Sequence, residues 1–188
     1  AITGNAFSTV NMIVTNGTGQ LKKTFATGSQ VPFVFPVGET TGTTEYTPVS
    51  LEFTANSSTR TIGVIVVDAR HPNDVPTTSD YITRYWSFTN SAAGTHTLNA
   101  ILTYTPADVV GTEANLNINQ YYPTTGVWSE MSSSVGTNTL TTTGASNFLV
   151  SASANPFDIT GRKNNSTVYY RSNGTGNWST LSTWVVST

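Results

Sequence analysis

The stretch that decides the fold is "TIGVIVVDARHPNDVPTTSDYITRYWSF", residues 61–88. It opens with a continuous apolar run, Thr61 to Ala69, which predicts a central strand covered on both faces. It closes with an alternating run, in which Ile82, Trp86 and Phe88 fall on one side of an extended chain. Arg84 shares that row, where its stem predicts cover for a sheet edge. Between the two runs, "DARHPND" carries the Pro, Asn and Asp of a loop.

The same grammar repeats outward in both directions. "STVNMIVT" from Ser8, "QLKKTF" from Gln20, "QVPFVF" from Gln30 and "YTPVSLEF" from Tyr46 precede the stretch. "TLNAILTY", "NLNINQYY", "GVWSEM", "NTLTTT" and "NFLVSA" follow it. Each run is β-branched or aromatic and ends at Gly, Pro or Asn, and helical periodicity is nearly absent. This pattern predicts an all-β antiparallel sandwich. "PTTG", between Tyr122 and Trp128, reads as a hairpin loop. Alternation predicts a core of Phe35, Val49, Leu51, Val64, Val66, Trp86, Phe88, Leu98, Leu102, Leu116, Ile118, Trp128, Phe148 and Val150. In "FPVG", Pro36 removes a ladder donor and Gly38 frees the backbone, so that strand must bend or leave its sheet.

The 188 residues suffice for one sizeable core, or for one domain plus a fragment. "ANPFDITGRKNN", from Ala154, breaks the pattern with a Pro, a Gly, an Asn pair and clustered charge. It reads as a linker, which divides the chain into residues 1–18, a sandwich at 19–153, a linker at 154–166 and a tail at 167–188. A cut after Asn155 is then expected to leave the sandwich folded.

Only 10% of the residues are charged, and the net charge is -2. Lys22 and Lys23 read as a solvated strand face, so no nucleic-acid partner is expected. With no cysteine there is neither a disulfide nor a thiol nucleophile. No apolar run predicts a membrane span, and nothing at Ala1 reads as a signal peptide.

Candidate chemistry is sparse. His71, in a loop, and His96, at a strand start, read as surface or strand-edge residues outside any metal spacing. No G-x-S-x-G elbow is present, and Glu39, Glu45 and Glu52 are close in sequence only. No catalytic residue is assigned, and the chain reads as a non-enzyme. Asp68, Asn73, Asp74 and Asp80 crowd one loop region with oxygen ligands suited to calcium, without a D-x-D-x-D-G register. No other cofactor is expected. Trp86, Trp128, Trp178 and Trp184, with Tyr85, Tyr121 and Tyr122, raise the alternative of a carbohydrate-binding module that stacks on surface glycans. Alternation turns Trp86 and Trp128 inward and Tyr85 and Tyr121 outward.

The segment from Gly19 to Phe53 resembles one that recurs in large secreted proteins of Bacteroidota, where a G-x-L-x-R/K strand leads to F-P-V-G and then Y-x-P-V-x-L. The matching residues are Gly19, Leu21, Lys23, Phe35, Pro36, Val37, Gly38, Tyr46, Pro48, Val49 and Leu51. Arg84, Tyr85, Trp86, Tyr104 and Asp108 match that family's R-Y-W strand and the strand and turn after it. "GNWSTLSTW", from Gly176, resembles the opening of β-helical units in the same proteins. The likeness spans Gly19 to Phe148 and the tail, and it marks a kind of surface module rather than an activity. It implies a β-sandwich exported by the type IX route, located outside the cell or on its surface, and working as an adhesin or fibre component. It also implies that residues 1–18 end a preceding unit and that 167–188 begin a following one. Val10, Met12, Val14, Tyr169, Trp178 and Trp184 would then pair with copies of the chain or with adjacent repeats of one polypeptide.

Overall fold

The computed structural model describes residues 6–15, 17–75, 78–149, 156–163, 170–172, 175 and 184–186. Its strands are β1 (Ile13–Val14), β2 (Leu21–Phe25), β3 (Phe33–Phe35), β4 (Val37–Glu39), β5 (Glu45–Tyr46), β6 (Val49–Asn56), β7 (Arg60–Val67), β8 (Tyr81–Asn90) and β9 (His96–Thr103). After them come β10 (Val109–Val110), β11 (Asn117–Tyr122), β12 (Val127–Glu130), β13 (Ser134–Gly136), β14 (Thr139–Ala145), β15 (Phe157–Arg162), β16 (Tyr170–Ser172) and β17 (Trp184–Val186). Two single-turn 3-10 segments, Pro106–Asp108 and Glu113–Asn115, flank β10.

One sheet runs β12-β11-β15-β8-β7-β2, with β10 beside β8, and a second runs β13-β14-β9-β6-β3. Their inward rows share one core. Ile62, Val64, Val66, Trp86, Phe88, Phe157 and Ile159 come from the first sheet, and Phe35, Val49, Leu51, Phe53, Leu98, Leu102 and Leu140 from the second. The chain is therefore an all-β sandwich. β7 and β8 form a hairpin in one sheet, while β6 and β9, which flank them in sequence, pair in the other. The strict alternation of β8 buries Ile82, Arg84, Trp86 and Phe88. β7 lies inside its sheet as expected, but its outer row, Thr61, Ile65 and Val67, is only half-buried. At "FPVG" the chain leaves the second sheet after Phe35 and enters a small sheet ordered β1-β4-β5. No helix among the described residues is long and apolar enough to cross a membrane.

Three expectations are corrected. The segment expected to be a linker contains β15, which lies between β11 and β8. Its inward row is Phe157, Ile159 and Gly161, and the Phe157 ring stacks on Phe88 at 5.5 Å. A Cβ at Gly161 would sit 2.6 Å from Leu140 Cδ1 of the facing sheet, so any larger residue there would displace that side chain. The charges that suggested a linker have partners: Asp158 meets His71, and Arg162 meets Asp74.

The boundary at residue 18 also falls. β1 pairs in parallel with β4; Ile13 N donates to Pro36 O at 2.8 Å, and Thr15 N to Gly38 O at 3.1 Å. Val66 N donates to Thr15 Oγ1 at 3.0 Å, which ties β1 to the main sheet. Met12 and Val14 thus belong to this sandwich, while Val10 lies 94% exposed in the turn that precedes it.

Trp128 is the third correction. Directly opposed residues share a face of a sheet, and Trp128 opposes Tyr121, not Tyr122. It therefore lies half-buried on the outer face, while Tyr122 packs against the core. Val150, Tyr169 and Trp178 lie outside the described residues. Trp184 is in β17, which pairs with β16.

Candidate functional site

Four strand ends and turns, with the inward row of β8, bring charged side chains together at one end of the sandwich. Glu39 closes β4 and Glu45 opens β5, and antiparallel pairing sets them directly opposite each other. Asp68 follows β7, Arg84 lies in the inward row of β8, and Asp108 sits in the turn before β10. Glu39 and Glu45 are therefore neighbours in space as well as in sequence, whereas Glu52 accepts a bond from Asn99 instead.

Arg84 is fully buried at the centre of this group. Its Nε donates to Asp108 Oδ2 at 2.9 Å, and one terminal nitrogen reaches Glu45 and, at 3.4 Å, Asp68 Oδ1. Asp108 also accepts from Thr105 N at 2.7 Å, and Thr105 Oγ1 donates to Glu45 at 3.2 Å. Glu39 is 1% exposed; one of its oxygens accepts from Thr41 N, and the other, Oε1, is buried without a hydrogen-bond partner. Burial raises the Glu45 carboxyl above its ordinary value, against the opposing pull of Arg84, and Asp68 shifts the same way for the same reasons. One oxygen from each of Glu39, Glu45 and Asp68 lies within 4.8 Å of the other two. A cleft of about 260 Å³, lined by Thr15, Gly17, Thr41 and Val66 as well, opens beside Glu39 and Asp68.

The loop after β7 does not gather the four residues expected to hold calcium. Asp68 joins Arg84. Asp74 pairs with Arg70 at 2.9 Å and Arg162 at 3.1 Å. Asp80 accepts from Thr112 N at 2.6 Å and faces Lys163 at 3.6 Å. Asn73 donates its N–H to His71 Nδ1 and gives its carbonyl to the Trp128 indole N–H. The loop is held by separate contacts because each acid meets its own cations: Asp68 meets Arg84 on β8, Asp74 meets Arg70 within the loop and Arg162 on β15, and Asp80 meets Lys163 just after β15.

His71 is buried, not a surface residue. Its Nδ1 accepts from Asn73 N at 3.1 Å, which leaves Nε2–H to donate to Asp158 at 3.1 Å. Tyr85, Tyr121 and Trp128 surround its ring with centroids 4.8–4.9 Å away, and the Arg162 guanidinium lies 4.6 Å from the Trp128 ring. The outer-face aromatics thus clamp the loop to the sheet.

His96 is buried too, at the opposite end. Leu149 N donates to its Nε2 at 3.2 Å, while burial and the nearby Arg60 charge push its pKa down to about 4. Arg60, itself buried, donates to Asn56 at 2.7 Å and to the Gly94 carbonyl at 3.3 Å. A shallow cleft of about 350 Å³ lies alongside.

No protein-family model matches the chain, no curated protein matches it, and no solved structure matches it.

Proposed function

We propose that the chain is a non-enzymatic structural or adhesive module of a bacterial cell-surface protein or fibre, working outside the cell. The observation that carries this reading is how the buried arginines are used. Arg60, Arg84 and Arg162 each brace one part of the sandwich against another, joining β7 to the turn before β9, β8 to the acidic end, and β15 to the loop after β7. Such bracing suits a unit that must hold its shape without disulfides. The motif resemblance supports the same reading, and export by the type IX route follows from it alone.

End-to-end assembly is part of the proposal. With β1 engaged in its own sheet, the junction falls to the C-terminal segment that carries the β16–β17 pair. Analytical ultracentrifugation of the full chain beside one ending at Lys163 tests this. Association that rises with concentration in the full chain alone is expected. Two chains that both stay monomeric would overturn end-to-end assembly.

A further inference from the structure

We propose that Glu39, Glu45 and Asp68 form a binding site for a hard divalent cation of the calcium class. The first reason is charge. Glu45, Asp68 and Asp108 are three carboxylates around one guanidinium, Arg84, and Glu39, opposite Glu45, adds a fourth; a buried carboxylate without a compensating charge is strongly unfavourable. Glu39 and Glu45 oppose each other directly across a strand pair, an arrangement that destabilises a sheet unless something sits between the charges.

The second reason is independent of the acid count. Glu39 Oε1 is sequestered from water with no hydrogen-bond partner, in a residue that is 1% exposed. A buried oxygen of this kind points to a missing ligand. Its carboxylate belongs to the set of oxygens that lie within 4.8 Å of one another. Calcium holds its oxygens at about 2.3–2.6 Å, so ligands on opposite sides of one ion stand at most about 5 Å apart. Magnesium, with shorter bonds and a rigid octahedron, tolerates less spread. The cleft beside Glu39 and Asp68 gives an ion a route in and leaves room for water ligands. An ion there would fasten the ends of β4, β5 and β7 together, next to the β1 strand that enters the module. This inference does not depend on the adhesive reading.

The test is calorimetric titration of CaCl₂, and separately MgCl₂, into the full chelator-treated chain, with thermal unfolding in the same solutions. Saturable binding of one calcium with a dissociation constant between about 10⁻⁵ and 10⁻³ M is expected, with weaker binding of magnesium. A rise in melting temperature should accompany it, since the ion binds only the folded site. Glu39→Gln keeps the bond from Thr41 and removes the charge. It should weaken calcium binding at least about tenfold while leaving the ion-free protein as stable as before, or more so, because repulsion with Glu45 is relieved. A merely structural role for Glu39 would instead lower that ion-free stability. If Glu39→Gln does not fold, Asp68→Asn, on the rim, decides by the same loss of binding. Asp80→Asn should bind as the parent does. Absence of saturable binding up to about 10 mM calcium, far above the range of extracellular sites, would overturn the site, as would undiminished binding in both Glu39→Gln and Asp68→Asn.

Discussion

Ending the chain after Asn155 should destroy the sandwich, and ending it after Lys163 should not. The difference between the two chains is eight residues, 156–163, which include all of β15. Phe157 and Ile159 are fully buried, and burying each is worth about 1.5–3 kcal/mol. Arg162 pairs with Asp74, which keeps Arg70 as a second cation when β15 is removed. The two apolar side chains alone therefore account for about 3–6 kcal/mol, a large part of a typical domain's whole stability. β11 and β8 would also lose a partner strand between them, since β15 registers with both. Urea unfolding followed by far-UV circular dichroism and tryptophan fluorescence reads this directly. The longer chain should unfold cooperatively, and the shorter should show no cooperative transition. Equal midpoints would refute the placement of β15 and restore the linker reading.

Gly38→Ala places a Cβ against Met12 Sδ and the Glu45 carbonyl. It should cost about 1–3 kcal/mol by urea denaturation and speed hydrogen exchange at the Ile13 and Thr15 amides, which β4 protects. Arg84→Met leaves three acids, Glu45, Asp68 and Asp108, without their cation and should cost about 3–5 kcal/mol; a loss below about 1 kcal/mol would mean that the guanidinium contributes little net attraction. His96 has a folded pKa of about 4 against an ordinary 6.5, so the unfolded chain takes up its proton first as pH falls. The resulting stability is complete above that ordinary value and is lost between the two, by at most about 3 kcal/mol. Urea midpoints at about pH 7 and about pH 4.5 should converge in His96→Gln, and an unchanged gap would assign the acid sensitivity elsewhere.

What the sequence reveals and what it hides follow from one physical distinction. Alternation reports a residue's own strand, so Ile82, Trp86, Phe88, Val49 and Leu51 are legible as core and prove fully buried. Phase across a hairpin is not reported by either strand alone. Two adjacent tyrosines precede the "PTTG" loop, and only the register decides that Trp128 faces Tyr121 and the outside. β15 is hidden because a polar residue on a strand looks like a loop residue until its partner is known. Asp158 and Arg162 find theirs on the loop after β7, more than eighty residues away in sequence. The acidic site lies between these cases. Glu39 and Glu45 stand equally far from Gly42, which adopts a positive φ of 70° in the turn that joins β4 to β5. A hairpin centred on that glycine brings the two glutamates face to face, a local turn signal that the reading of them as close in sequence only passes over. Asp68 and Arg84 enter only through the stacking of β7 and β8 beside them, a contact that no spacing along the chain encodes.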